Sequence, residues 1–321
     1  MDRRQVLVAV IAIVLFALVP LFADAVGQPF LTDMFARIMI LAIAAVSLDF
    51  ILGYGGMVSF GHAAFIGVGA YAVGILAYYG IDNGFLQFLL AALASGAIAL
   101  VIGAMSIRTS GVYFIMITLA FAQMLYFLGI SLEEFGGDDG MPTDRSNFGA
   151  VIDLWEPVPF YYFVLMFLAL FLFLAHRLIH SRFGQVVRGA RSNNPRMQAI
   201  GFPTYRYKLV AFAIAGTMCG IAGALFANWN EFVSPDYMHW TRSGEIMIMV
   251  ILGGMGTLVG PVMGATAFLL LEEYLPGVMD AVIPGSGQHW MVLFGPILIL
   301  LVLFARGGLY SLVARIGRGN D

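Results

Sequence analysis

Few residues in this chain are placed to do chemistry. Asp49, His62, Glu245, Glu272 and Glu273 are ionisable groups within or beside long apolar runs, and Gln123 lies inside one. Charge at membrane depth is expensive and is kept mainly for a task, so such residues are the natural carriers of protons or ions. Each also sits close enough to the end of its run to serve as an interfacial or hydrogen-bonding group, and Gln123 is placed to bond to a neighbouring helix. Catalytic constellations are missing: there is no HExxH, no GxSxG and no cluster of Cys and His ligands. Cys219 is the only cysteine, which excludes a disulfide framework and a CxxC metal site. Lys208 is the only lysine and follows Tyr207, so no GxxxxGK[ST] phosphate loop exists, and any ATP must be bound by another subunit. Enzyme classes and nucleic-acid binding fall away, and no cofactor is called for.

The stretch RFGQVVRGARSNNPRMQAIGFPTYRYK, residues 182 to 208, concentrates positive charge without a single acid: Arg182, Arg188, Arg191, Arg196, Arg206 and Lys208. Asn194 suits a helix N-cap, Pro195 the first helical position, Gly201 the left-handed position after the end, and Pro203 blocks continuation. A helix over 195–200 would be only ~9 Å long and unstable alone in water, so it needs a partner surface. Met197 and Ile200 share a face with Phe202 just beyond, whereas Arg196 and Gln198 point elsewhere. A small apolar knob on a polar collar fits helix-in-groove recognition. Upstream, Gly184, Arg188 and Arg191 belong to a second short helical piece that can lie flat with its arginines near anionic lipid. A loop that only fixes topology would need the charge but not the helix signals.

The elements that must position these residues are membrane helices. Of 321 residues, 61% are hydrophobic and only 11% charged, with a mean hydropathy of +0.91. Soluble domains run nearer half apolar. Runs of about 20 apolar residues mark spanning helices, and ten candidates appear: 5–22, 35–52, 60–80, 85–106, 112–131, 159–179, 208–229, 244–254, 260–275 and 289–305. The eighth and ninth are short and are either two tilted helices or one broken helix. With ten spans and the N-terminus inside, all of the 16 Lys and Arg except Arg37, Arg145 and Arg242 fall on the cytoplasmic side. The largest outer loop, 132–158, carries Glu133, Glu134, Asp138, Asp139, Asp144, Asp153 and Glu156. The expectation is an all-α polytopic bundle, a single transmembrane domain over 1–321 with both termini cytoplasmic and a cytoplasmic loop at 180–207. A signal-peptide reading competes for the first run, because Arg3 and Arg4 precede it and Ala23-Asp24-Ala25 follows.

Small residues recur at helix-packing spacing in Ala92 with Gly96, Gly216 with Gly220, and Gly256, Gly260 and Gly264. Two glycine-dense stretches, 53–70 and 253–267, look able to break a helix at membrane depth, where irregular backbone must be buried in protein or line a cavity. The expected substrate path therefore passes Ser59, Gly61 and His62 on one side and Gly253, Gly254 and Gly256 on the other, with free backbone groups meeting a zwitterion.

The blocks GYGGMVSFGHAAFIGVGAYA, FGGDDGMP, GGMGTLVGPVMGA and FARGGL, in this order from about 36 to 309, resemble the LivM-type permease subunits of bacterial ATP-driven importers for branched-chain amino acids. The last block has Ala305-Arg306 where proline-arginine is usual. The resemblance implies that the basic loop is a coupling helix inserted into a cytoplasmic ATPase, with Asn194 in place of the usual acid seven positions before Gly201. It further implies a second related permease subunit, two cytoplasmic ATP-binding subunits, an extracytoplasmic binding protein that sets specificity, and a multi-pass location in the bacterial cytoplasmic (inner) membrane. Related systems carry urea, other amides and other amino acids. The rivals are a self-contained ion-coupled carrier and a passive channel.

Overall fold

The computed structural model describes residues 3–149, 152–282, 285, 287–304 and 307–311. Ala305, Arg306, Arg315 and Arg318 lie outside them, as do Ala150 and Val151 of the acidic loop. Twelve α-helices follow in order: α1 Arg3–Val26, α2 Phe30–Leu52, α3 His62–Tyr78, α4 Gly84–Ser106, α5 Val112–Ser131, α6 Pro157–His180, α7 Arg182–Ser192, α8 Asn194–Ala199, α9 Thr204–Asn230, α10 Trp240–Gly253, α11 Gly260–Val282 and α12 Trp290–Phe304. Each apolar run of the sequence falls on one of these helices. Seven, in α1, α2, α4, α5, α6, α9 and α11, are long and apolar enough to cross a membrane. The shorter α3, α10 and α12 are apolar too; α10, at 14 residues, is ~21 Å long against a hydrocarbon layer of about 30 Å.

Segment 244–275 is two helices. Gly254 ends α10 with a φ of 118°, and the chain turns back so that α11 packs beside it. Gly264 lies against the Met249 carbonyl and Gly253 against that of Gly260, with no room for a Cβ at either position. At the turn, the Thr257 hydroxyl donates to the Gly254 carbonyl at 2.7 Å and accepts from the Gly260 amide at 3.1 Å.

Helix α2 is the hub. Nearly every residue from Ala36 to Leu52 is buried against α6, α9, α10 and α11. The tightest packing joins α3, α4 and α9, where Gly69 meets the Gly220 carbonyl, Gly223 meets the Ile66 carbonyl, and Gly216 and Gly220 lie on Ala99 and Ser95. Lipid gives no hydrophobic push between helices, so close backbone approach is what holds such a seam. Gly69→Val is therefore expected to destabilise the bundle by about 1–3 kcal/mol or more, because the opposing atoms are backbone and cannot give way. Thermal melting of the detergent-solubilised protein should show the loss.

Contacts sort the connecting segments into two ends. At one, the basic loop reaches the α2–α3 connection, the Tyr205 hydroxyl donates to the Ala104 carbonyl at 2.9 Å, and Gly307 and Gly308 lie on Gly254. At the other, the acidic loop is built into the fold. Strand β1 Met141–Pro142 pairs antiparallel with β2 Phe232–Val233, and the Ser146 amide donates to Asn228 Oδ1 at 2.7 Å. Arg145 donates to the Leu154 carbonyl at 2.7 Å, forms an ion pair with Glu231 at 2.9 Å and covers the Phe160 ring. The single long helices α6 and α9 separate the two ends.

Candidate functional site

The basic loop folds as two short helices. The Ser181 hydroxyl caps α7 by accepting from the Gly184 amide at 3.2 Å, while Val186, Val187 and Ala190 form its buried face. Gly184 lies against the Leu178 and Ile179 carbonyls, which lets α7 turn sharply off α6. Helix α8 then starts one residue earlier than its sequence signals indicate. Asn193, not Asn194, is the N-cap: its backbone is extended and its Oδ1 accepts from the Arg196 amide at 3.0 Å. Pro195 consequently occupies the second helical position. Both asparagines stand three residues before an amide, Arg196 for Asn193 and Met197 for Asn194, and the extended backbone at Asn193 makes it the cap. Asn194 is left with a buried Oδ1 that has no partner among the described residues.

The end of α8 follows the sequence reading closely. Gly201 has a φ of 93°, its amide donates to the Gln198 carbonyl at 2.9 Å, and the Phe202 amide donates to that of Met197 at 3.1 Å. This pair of bonds is a Schellman motif, which requires the left-handed conformation that glycine adopts without strain. The apolar knob is redistributed. Met197 turns inward onto Gly189 of α7, whereas Ile200 stays 63% exposed and Phe202 38% exposed, with the Phe202 ring beside Tyr207. Pro195 and Arg188 are exposed.

The Arg191 guanidinium donates to the Gly53 carbonyl at the end of α2. One turn back on α2, the Asp49 carboxylate accepts the Gly256 amide at 2.8 Å. Asp49 and Gly256 crowd the place where a Gly53 side chain would stand, and the Arg191 stem fills that beside Gly56. The two glycine-dense stretches thus meet each other and α7 at one node, and glycine is needed there because two backbones, the Asp49 carboxylate and the Arg191 stem crowd together. Gly253 and Gly254 belong to the same node through the α10–α11 turn.

Ser59, Gly61 and His62 lie deeper, at the start of α3. Three amides at this break have side-chain partners in this conformation. The Phe60 amide donates to Thr118 of α5 at 3.2 Å, the Gly61 amide to Ser59 at 3.3 Å, and the Ala63 amide to Ser243 of α10 at 3.0 Å. His62 is fully buried. Its Nε2 is 2.8 Å from the Ser47 Oγ, which in turn donates to the Ala44 carbonyl at 2.7 Å, so Nε2–H is the donor and Nδ1 has no partner among the described residues. Cys219 reaches the His62 carbonyl at 3.4 Å. The cluster ties α2, α3 and α9 together. Thr118 and Ser243 carry no local sequence signal, since their partners lie 58 and 180 residues away.

An all-α bundle with seven helices long and apolar enough to cross a membrane, and a short capped helix in a basic loop beside two helix breaks, has the architecture of a polytopic membrane protein. Residues 30–303 match the family described as branched-chain amino acid transport system / permease component, and the chain belongs to that family. It is 27% identical to the high-affinity branched-chain amino acid transport system permease protein LivM of Salmonella typhimurium, over 91% of this chain and 74% of that protein. It is 25% identical to the probable LivM of Methanocaldococcus jannaschii over 83% of this chain and 89% of that one. It is also 25% identical to LivH of Escherichia coli K12, over 72% and 80%. No solved structure matches the chain.

Proposed function

We propose that this chain is the membrane-spanning permease subunit of an ATP-driven importer of branched-chain or similar hydrophobic amino acids in the bacterial inner membrane. Its whole length, 1–321, forms one transmembrane domain of ten spans with both termini in the cytoplasm. The 132–158 loop faces outward, and the 180–207 loop is the coupling segment. The excess of arginine at the α7–α8 end supports that orientation. The complete machine comprises this subunit, a second homologous permease subunit, two cytoplasmic ATP-binding subunits and an extracytoplasmic binding protein. The chain itself needs no cofactor and binds no nucleic acid.

One observation carries the reading. Helix α8 is too short to persist alone, yet it is fixed by a cap at each end and holds Ile200 out into solvent. Exposed apolar residues on a rigid stub are suited to a groove in another protein. Movement of α8 is transmitted through α7 to Arg191, and from there to Gly53, Asp49 and Gly256, the breaks at which α2 ends and α10 turns into α11. Differential ATPase contacts in two states would then bias the bundle between two arrangements. The reading is tested in liposomes. Uphill amino acid uptake is expected only with the ATP-binding subunits and ATP present. Uptake by this chain alone under a proton or sodium gradient would establish the ion-coupled rival instead.

A further inference from the structure

At the end of the bundle opposite α8, a narrow cleft opens among Leu41 of α2, Ile66 of α3, Phe226 of α9, Tyr237 of the short turn Pro235–Met238, and the first turns of α10. Its chemistry is divided. Ile66, Phe226, Ile246 and Met249 are buried and make an apolar floor. At the mouth stand Arg242 and Glu245, whose side chains are 41% and 35% exposed and pair at 2.9 Å. A pair three residues apart on a helix is often only local support. Here, however, both charges line the same apolar cleft, and Gly244 between them faces open space.

The geometry points to a transient binding site for an aliphatic α-amino acid, with Arg242 holding the carboxylate, Glu245 the ammonium, and the floor of Ile66, Phe226 and Met249 taking the side chain. An α-amino acid carries both charges on one carbon, so the two must be received by opposite charges a few ångströms apart, with an apolar wall behind. That is the arrangement at the start of α10. With no ligand, the two receiving groups satisfy each other, which avoids a lone charge. The free space is about 20 Å³, roughly one water, so this conformation is closed and a leucine side chain enters only when α10 moves from α2 and α9. Met249 is suited to such a floor, because its unbranched thioether repacks around different shapes. The site lies one helix length from the Gly253–Gly256 turn, so the α10–α11 hairpin joins it to the Arg191 node. The inference rests on the proposed import of aliphatic amino acids, and it places their first contact here rather than at the glycine-rich breaks.

The test uses the assembled transporter in liposomes with loaded binding protein and radiolabelled leucine. ATP-driven uptake is expected to fall at least tenfold in Arg242→Gln and in Glu245→Gln, with the complex still co-purifying. It should stay low in the double exchange Arg242→Glu with Glu245→Arg, which rebuilds the ion pair but inverts the dipole a ligand would meet. A diazirine analogue of leucine should label the 240–253 segment, and excess leucine should suppress the labelling. Recovery of uptake in the double exchange would overturn the inference, since a purely structural pair would be restored. So would labelling confined to 53–61 or 254–260 while uptake proceeds. If the unaltered complex moves no aliphatic amino acid with ATP, the proposed function itself fails, which is a separate result.

Discussion

Gly201→Pro is expected to abolish capture of the ATP-binding subunits while the chain still inserts in the membrane. The substitution acts on two physical requirements at once. Gly201 holds a φ of 93° and its amide donates to the Gln198 carbonyl, whereas proline fixes φ near −65° and has no amide. The Schellman end of α8 cannot form, and a six-residue helix without its stop loses the geometry that presents Ile200. Ile200→Asp tests the same contact without disturbing the backbone. Burying an isoleucine side chain is worth about 1.5–3 kcal/mol, and placing an unpaired carboxylate in the same groove adds a desolvation cost. Affinity for the ATPases should fall by ten- to several-hundred-fold at about 1.4 kcal/mol per decade. Met197→Ala should have the smaller effect, because Met197 packs on Gly189 within the loop. Pull-down of the ATP-binding subunits from solubilised membranes measures all three, and undiminished capture by Gly201→Pro and Ile200→Asp would exclude α8 as the docking element.

The helices of this protein are legible because membrane helices are written in local hydropathy, and each apolar run found from the sequence carries one. The segregation of Arg191 and its neighbours from Glu133, Asp144 and the other acids was legible for the same reason: charge cannot cross lipid cheaply, so it stays in the connecting segments. What escaped the sequence was pairing at long range. Nothing near Asp49 announces that its acceptor oxygens serve Gly256, 207 residues on, and nothing near Ser243 announces the Ala63 amide. These bonds exist because irregular backbone inside a membrane must find partners. The glycine-rich breaks predict that need without predicting who meets it. At α8 the error was one residue, Asn194 for Asn193: two caps stood side by side, and proline's preference for the first helical position pointed to the wrong one. The cleft at Arg242 was missed for a related reason. Its lining is assembled from α2, α3, α9 and α10, and no single stretch of chain contains it.

Asp49 offers the sharpest separation of mechanisms. It is 2% exposed, its Oδ1 accepts from the Gly256 amide at 2.8 Å, and Arg191 binds the backbone one turn further on, at Gly53. A proton- or sodium-coupled carrier would need the charge of that carboxylate, so Asp49→Asn and Asp49→Leu would be equally inactive. A positioning role needs only the acceptor. Asparagine keeps an oxygen at the same place, and exchanging a charge-assisted bond for a neutral one costs about 1 kcal/mol, since the two kinds contribute about 1.5–3 and 0.5–1.5 kcal/mol. Leucine removes the acceptor and strands the Gly256 N–H in a buried site, which costs about 1–3 kcal/mol. ATP-driven uptake by the assembled transporter should therefore drop only a few-fold in Asp49→Asn but tens- to a hundred-fold in Asp49→Leu. The same ordering should appear in thermal stability, because the bond ties α2 to the α10–α11 turn. Equal loss in both variants would return the charge, and with it ion coupling, to the centre of the mechanism.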